Sequence, residues 1–333
     1  MASPSLNVDA VIVTRDRAEL LLAALRSAEA ALDAAGARGE IVVVDNDSSD
    51  DSAKRVAREL PHVRWIQLDR NYGFPTAVNH GLRATSGDWV LLLNNDATIE
   101  RDALRNALNG RITDDVGTIA MQMRFADRPE TVNSAGIGVD VLGVAYDRFL
   151  GDSVDGEASK PAEVFGACAG AALYRRAMLD DIGGFDSGYF LYLDDADVAW
   201  RSRMAGWRAL YAPDAVVWHA HSATTRHGSS FKYFHVGRSR IRLLAKNAHS
   251  RQLRRHGLQI LAFDLGYVAF VAARDRTLAP LRGRIAGLRE WRATREQAAE
   301  RRRPVELGPR QGFVAALRRR RAWLNGSGPP PAT

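Results

Sequence analysis

A single cysteine, Cys168, stands in 333 residues, inside the apolar run VFGACAGAALY. One thiol closes no disulfide and builds no cysteine-ligated metal centre, so stapled secreted scaffolds and zinc-finger modules are excluded and Cys168 reads as a small core residue. Long hydrophobic runs are missing as well. The best apolar stretch, LAFDLGYVAFVAA from Leu261 to Ala273, is short for a membrane span and carries Asp264, while the N-terminal MASPSLNVDAVIVT has no basic segment leading a long apolar one. These absences predict a cytoplasmic chain without signal peptide or transmembrane helix. Glycine is absent after the first strand-like run in VIVTRDRAELL, which removes the phosphate-cradling loop that a sugar-phosphate nucleotidyltransferase would need there. No internal repeat is visible.

What is present is enough apolar material for a real core, 46% of the residues, together with a net charge of +7 that is placed unevenly. Arginines crowd the last third: Arg251, Arg254, Arg255, Arg274, Arg276, Arg301 to Arg303 and Arg318 to Arg321, with Trp291 and Trp323 among them. A basic, tryptophan-bearing helical region suits an anionic membrane surface, a polyphosphate acceptor or a nucleic acid. No nucleic-acid module is recognisable, and none is expected as a partner.

The first half alternates strand-like and helix-like segments in the manner of βα units on a mostly parallel sheet. Val8 to Thr14 reads as the first strand, and Asp16 as the N-cap of a helix over AELLLAALRSAEAALDAAG that Gly36 ends. Glu40 to Val44 is a second strand, running into Asp45, Asn46 and Asp47. Val63 to Leu68 is a third, followed by a glycine-containing turn and a short helix with Pro75 in its first turn. Trp89 to Leu93 is the fourth and ends in Asn94, Asn95 and Asp96. Two polar clusters therefore lie at the carboxyl ends of parallel strands, the edge where open α/β sheets bind ligands. The glycine-rich segment from Asp127 to Pro161 reads as a long loop or β excursion near that edge. Beyond His221, residues Phe231 to Ala248, Gln252 to Arg274 and Pro280 to Arg303 read as basic helices, and NGSGPPPAT as a flexible tail.

A carboxylate on an NND turn after a buried strand, Asp96, suits a divalent cation that takes oxygen donors and shares substrate phosphates; a plain turn that caps the next helix would leave the same tripeptide. A second acidic cluster lies in YLDDADVAWRSRMAG. On a helix, Asp194 and Asp197 share neighbouring faces, and capping plus an Asp197–Arg201 pair account for them. Asp195 points elsewhere and is a candidate general base toward a hydroxyl. Of the two histidines after VVW, His219 is the candidate metal ligand, with a hydrogen-bonded structural role as the alternative.

The runs IVVVDNDSSD, NYGFPTAVNHG, LLLNNDA, GGFDSGYFLYLDDADVAWR and AGWRALYAPDAVVWHAH, in this order over residues 8 to 225, resemble family 2 glycosyltransferases of the GT-A fold, closest to a bacterial branch with rhamnosyltransferases and galactofuranosyltransferases. The resemblance implies an α/β fold with a mixed, mostly parallel sheet flanked by helices, a catalytic domain over residues 1–225 and a basic helical extension over 226–333. It places Thr14, Asp45, Asn71 and Gly73 beside the donor nucleotide. Asn94, Asn95 and Asp96 fall on the D-x-D element, with Asn94 in place of the first aspartate and Asp96 on a Mg²⁺ or Mn²⁺ ion that His219 helps to hold. Asp195 falls on the catalytic base, and Asp194 stands beside it in place of the usual glutamate. The implied activity is inverting transfer of a sugar, first L-rhamnose from dTDP-rhamnose, to a glycan or polyprenyl-diphosphate-linked acceptor in cell-wall or surface polysaccharide synthesis. The implied place is the inner face of the plasma membrane, as a peripheral protein. A UDP-sugar-dependent galactofuranosyl or hexosyl transferase and a non-catalytic nucleotide-sugar binder are the alternatives.

Overall fold

The structure, a computed structural model, describes residues 7–109, 112–220, 229–298 and 303–311. Its parallel half comes from β1 (Val8–Thr14), β2 (Ile41–Asp45), β3 (Arg64–Gln67) and β4 (Trp89–Asn94), lying side by side as β3-β2-β1-β4. β1, β2 and β4 are apolar almost throughout because both of their faces are covered. On one face α1 (Ala18–Ala35) sets Leu21, Leu22, Leu25 and Leu32 against Ile12, Val43 and Leu93. α2 (Ser52–Glu59) adds Val56 on that side. α3 (Phe74–Arg83), with Pro75 in its first turn as expected, covers the other face with Ala77, Val78 and Leu82.

The other half of the ten-stranded sheet is mixed. β5 (Ala97–Ile99), β6 (Val116–Phe125), β7 (Arg128–Ser134), β8 (Ile137–Val139), β9 (Ala145–Asp147), β10 (Ala162–Val164), β11 (Ala171–Arg175) and β12 (Arg208–His219) continue the chain, and the main order runs on from β4 as β11-β6-β12-β10. β11 is antiparallel to β4 and β6, β12 is parallel to β6, and β8 and β9 form a separate hairpin. The segment from Asp127 to Pro161 is thus a β excursion. α4 (Ala103–Leu108), α5 (Arg176–Ile182) and α6 (Asp194–Met204) complete the first part. α7 (Ser230–Asn247), α8 (Ser250–Asp275), α9 (Ala279–Arg289) and α10 (Trp291–Gln297) form a helical cap. α7 and α9 cross closely at Gly283, where a Cβ would run into the Phe234 carbonyl oxygen.

Three local readings change. The cap of α1 is Arg17, left-handed at φ 71°, and its side chain makes no capping bond. Asp50, on the far side of the β2–α2 loop, accepts the Ala18 N–H at 3.2 Å, while Asp16 accepts the Ser49 N–H at 2.7 Å. A residue brought in by tertiary structure does the capping, and a local pattern does not contain it. The stretch from Pro280 to Arg303 is not one helix, since it breaks at Glu290, whose carboxylate Arg238 holds at 2.9 and 3.0 Å. The helix expected over Gln252 to Arg274 is α8, which at 26 residues is long and apolar enough to cross a membrane by length and composition, where the stretch from Leu261 to Ala273 alone reads as too short. Asp264 within it is paired with Arg284 at 2.7 Å. His221, the expected boundary near residue 226, Arg301, Arg302, Arg318 to Arg321, Trp323 and the NGSGPPPAT tail lie outside the described residues.

Candidate active site

The carboxyl ends of β1, β2 and β4 meet in register, with Thr14 opposite Asp45 and Val13 opposite Asn94. The Asn95 amide donates to Thr14 Oγ1 at 3.0 Å, so the NND turn is tied to the end of β1. Asp45 is buried and accepts the Ser48 N–H at 2.8 Å, which shapes the loop after β2. Asn46 joins this edge to the next turn, donating to Asn71 Oδ1 at 2.9 Å and accepting the Tyr72 N–H at 2.9 Å. Asn71 Oδ1 also accepts the Gly73 N–H at 2.9 Å. Gly73 has φ +83°, and a Cβ there would run into the carbonyl oxygen of Phe190, which accepts the Phe74 N–H at 2.9 Å. Asn71 and Gly73 therefore clamp the carboxyl edge of β2 to the loop that leads into the acidic motif.

That loop is strained at a telling point. Tyr192 and Leu193, immediately before Asp194, both lie in the left-handed region at φ 68° and 63°. Two consecutive non-glycine residues there cost of order 1–3 kcal/mol each and persist only where the surroundings impose them. α7 imposes them here: Ser239 Oγ donates to the Leu191 carbonyl at 3.1 Å and Arg238 to the Gly188 carbonyl at 3.0 Å. The turn starts α6 with Asp194 and Asp195 in its first turn.

Burial raises the Asp195 carboxyl above its ordinary range, and N–H donors from Ala196 and Ala169 partly offset this. Burial and then the Asp195 charge push Asp194 well above that range. Asp197 goes the other way: burial is outweighed by Arg201, at 2.7 Å, and Lys246, at 3.1 Å, which hold its carboxyl well below the usual range. The third acid of the cluster is thus a structural anchor, as the Arg201 pairing suggests.

His219 ends β12 and has an oxygen at each ring nitrogen: Asn133 Oδ1 at 3.0 Å from Nδ1 and Asp96 Oδ1 at 3.2 Å from Nε2. With a divalent ion present, a His219 tautomer that donates Nδ1–H to Asn133 would have its Nε2 lone pair free for the ion beside the Asp96 carboxylate. Two cis ligands about 2.1 Å from one Mg²⁺ or Mn²⁺ ion stand about 3.0 Å apart, so this pair fits adjacent corners of one coordination shell. Among the described residues no group of three or more His, Cys, Asp or Glu forms a complete cage. A two-residue set suits an ion that takes its remaining oxygens from a diphosphate and water.

The sequence does not single out Asp147, at the end of β9. Burial and then the charge of Asp195 push its carboxyl up to about 7, while Ser134, His219 and Lys232 pull it back. One side chain thus feels the charges of both Asp195 and His219. Lys232, near the start of α7, is lowered by burial to about 8 and has its ammonium 5.3 Å from the centre of the Tyr192 ring. The loop before β11 touches both acidic motifs, since Gly170 O accepts the Asn94 N–H at 2.9 Å and Ala169 N–H reaches Asp195. Cys168 in that loop has its thiol held well above the ordinary range by burial and so stays protonated. Asn133, Asp147 and Lys232 come from the β excursion and the helical cap, and the only hint in the sequence was an acid in the strand-like AYD.

The sequence profile of Glycosyl transferase family 2 matches residues 9–183, more than half of the chain. The chain belongs to that family. Among the relatives of this family 2 glycosyltransferase, the N-acetylglucosaminyl-diphospho-decaprenol L-rhamnosyltransferase of Mycobacterium tuberculosis is 28% identical over 213 residues, 55% of this chain and 67% of the relative. The poly-beta-1,6-N-acetyl-D-glucosamine synthase of Staphylococcus aureus is 23% identical over 187 residues, 54% of this chain and 42% of the synthase, so the match spans less than half of that protein. Among solved structures, GalNAc-T7 with UDP, GalNAc and Mn²⁺ superposes with TM-score 0.60 at 13% identity, covering 89% of this chain and 57% of the other. The mannosyltransferase PcManGT of Pyrobaculum calidifontis, in complex with GDP-Man and Mn²⁺, superposes with TM-score 0.53 at 19% identity, covering 98% and 89%. The GT-A fold expected from the motifs is the fold of these neighbours.

Proposed function

We propose that this family 2 glycosyltransferase is an inverting enzyme that moves a sugar, with L-rhamnose from dTDP-rhamnose as first candidate, to a hydroxyl of a glycan or polyprenyl-diphosphate-linked acceptor in cell-wall or surface polysaccharide synthesis. One observation supports the reading: the Asp147 carboxyl feels the charges of both Asp195 and His219, and His219 in turn stands 3.2 Å from Asp96, which links the two acidic motifs. The similarity to a diphospho-decaprenol rhamnosyltransferase supports the donor and acceptor classes. A UDP-sugar is the second donor candidate, supported by the UDP-bound structural neighbour. A peripheral place at the inner face of the plasma membrane follows from such an acceptor.

In this reading Thr14, Asp45, Asn71, Gly73, Asn94 and Asn95 shape the nucleotide side of the cleft. Asp96 and His219 hold Mg²⁺ or Mn²⁺, whose positive charge, when bound, offsets the charge that develops on the departing diphosphate. Asp195 takes the proton of the acceptor hydroxyl as that oxygen bonds to the anomeric carbon from the face opposite the leaving group. The nucleoside diphosphate departs with the electron pair of the broken bond, and one displacement inverts the centre. Burial brings the Asp195 carboxyl nearer to the working pH, as a general base requires. Asp194, its neighbour, supports the acceptor side. Asp147, with its carboxyl near 7, both donates and accepts hydrogen bonds at neutral pH, and a sugar hydroxyl is a suitable partner.

The deciding experiment scores dTDP-rhamnose, UDP-galactofuranose, UDP-glucose, UDP-N-acetylglucosamine and GDP-mannose for thermal stabilisation with Mn²⁺ or Mg²⁺, with Asp96→Ala alongside. Ligand that binds the folded state alone raises apparent stability by mass action, about 2.7 kcal/mol at a hundred times Kd. One donor should stabilise the wild type only with metal and should leave the Asp96→Ala protein unmoved. No response to any donor or nucleoside diphosphate overturns the reading.

A further inference from the structure

α8 has two unlike faces. Ile260, Asp264, Val268 and Val271 are buried against the body of the protein. Outward, Leu258 is 86% exposed, Leu261 55% and Leu265 57%, and Ala262, Gly266, Ala269 and Ala273 are exposed with them. These positions recur at helical spacing and form one apolar stripe about 22 Å long. Gln259 is the only polar residue exposed between Leu258 and Ala273. Such a stripe on a protein in water usually marks an interaction surface.

The charges around the stripe say what covers it. Many arginines of the helical cap are held internally: Arg240 and Arg284 by Asp264, Arg242 by Asp186, Arg238 by Glu290. Arg251, Arg254 and Arg255, exposed at the amino end of α8, have no acidic partner among the described residues, and exposed Arg274 and Arg276 flank its other end. A cavity of about 200 Å³ opens beside the amino end, with apolar walls from Val141, Trp200 and Leu307 and with Arg251, Arg255 and Arg303 around it. An apolar stripe with cations at its ends matches acyl chains below anionic headgroups.

We propose that α8 lies in the plane of an anionic lipid surface, with Leu258, Leu261 and Leu265 below the headgroups and Arg251, Arg254 and Arg255 among the phosphates. The same geometry opposes a span. Asp264 sits mid-helix, bonded to Arg284 at 2.7 and 2.9 Å and to Arg240 at 3.5 Å, and these partners belong to α9 and α7. Crossing a bilayer would strip that carboxylate of its partners and leave it in hydrocarbon. The inference deepens the lipid-linked acceptor reading and rests on it for its purpose, because docking by α8 brings the cleft to a membrane-held acceptor.

The test is co-sedimentation of the full chain with phosphatidylcholine vesicles, with or without phosphatidylglycerol, at low salt and at about 0.5 M salt, where screening is nearly complete beyond a few ångströms. The wild type should partition onto the anionic vesicles and come off in high salt. Leu258→Ser/Leu261→Ser/Leu265→Ser should weaken partitioning at least about tenfold, and Arg251→Gln/Arg254→Gln/Arg255→Gln should remove its salt dependence. Donor-dependent thermal stabilisation, measured in parallel, should be unchanged in both variants, which shows an intact fold and separates failure of docking from failure of the transferase reading. The proposal is overturned if the wild type ignores anionic vesicles, if the serine variant binds as well as the wild type, if that variant instead halves the mass of a dimer, or if extraction requires detergent.

Discussion

Asp194 and Asp195 are neighbours in the chain and burial raises both carboxyls, yet their surroundings assign them different work. Asp195 receives N–H donors from Ala196 and Ala169, which favour its ionised form, whereas Asp194 carries the added repulsion of the Asp195 charge. This difference favours Asp195 over Asp194 as the proposed proton acceptor. Asp195→Asn keeps shape and most packing while removing the base, so turnover should fall about 10²- to 10⁴-fold. Donor-dependent thermal stabilisation should persist in the same variant. Turnover within a few fold of wild type would remove Asp195 from the mechanism. At this scale the candidates Asp96, Asp195 and His219 are each named in the sequence by a few neighbouring residues, and the structure brings Asp96 and His219 within 3.2 Å. Asn133, Asp147 and Lys232 are not so named, since β6–β7 pairing, β8–β9 pairing and the packing of α7 bring them into play. Asp16 illustrates the same limit, because the residue that caps α1 is Asp50, 32 positions from the N–H it accepts.

The elements read best from sequence are the buried strands and α1, whose patterns are long and unambiguous; those read worst depend on partners. α9 and α10 share a continuous helical pattern and are parted at Glu290, which Arg238 holds. α6 and α7 are joined by a network no periodicity shows: Asp197 binds Arg201 on its own helix and Lys246 and Asn247 on α7, and Lys246 also reaches Asp186 at 2.7 Å. Removing the carboxylate leaves the buried Arg201 guanidinium without an acidic partner and Lys246 with Asp186 alone. Asp197→Ala should therefore cost about 3–5 kcal/mol of unfolding free energy, measured by denaturant titration at neutral pH. The folded-state carboxyl lies below the unfolded value of about 3.9, so this stabilisation is present above that pH and lost as pH falls through the folded value. The gap between wild type and variant should accordingly narrow in strong acid. A cost below about 1 kcal/mol at neutral pH would show that the network is not an anchor.

At the scale of the whole molecule the basic helical cap is bound to the catalytic part through its interior. Leu243 and Leu244 of α7 share a core with Ile137, Val139 and Trp200. Arg240 donates to the carbonyls of Leu142 and Gly143 at 2.8 and 2.5 Å. Arg242 and Lys246 neutralise Asp186, whose burial they outweigh, and Ser239 with Arg238 fixes the strained turn ahead of Asp194. Much of the positive charge that marks this region in the sequence is spent inside, and the sequence cannot separate those arginines from the exposed ones on α8. A chain ending at residue 228 would keep every strand and every motif of the family, yet Asp186 would lose both cations and Asp197 one of its two. Ile137, Val139 and Trp200 would lose the cover of Leu243 and Leu244 as well, at about 1.5–3 kcal/mol for each large apolar side chain exposed, against a total stability of about 5–15 kcal/mol. The shortened chain should therefore fail to give a soluble, cooperatively unfolding protein, while the full chain should unfold in one calorimetric transition. A truncated protein that melts cooperatively within a few degrees of the full chain would make the cap a separate unit, and the turn before Asp194 would then need another explanation for its geometry.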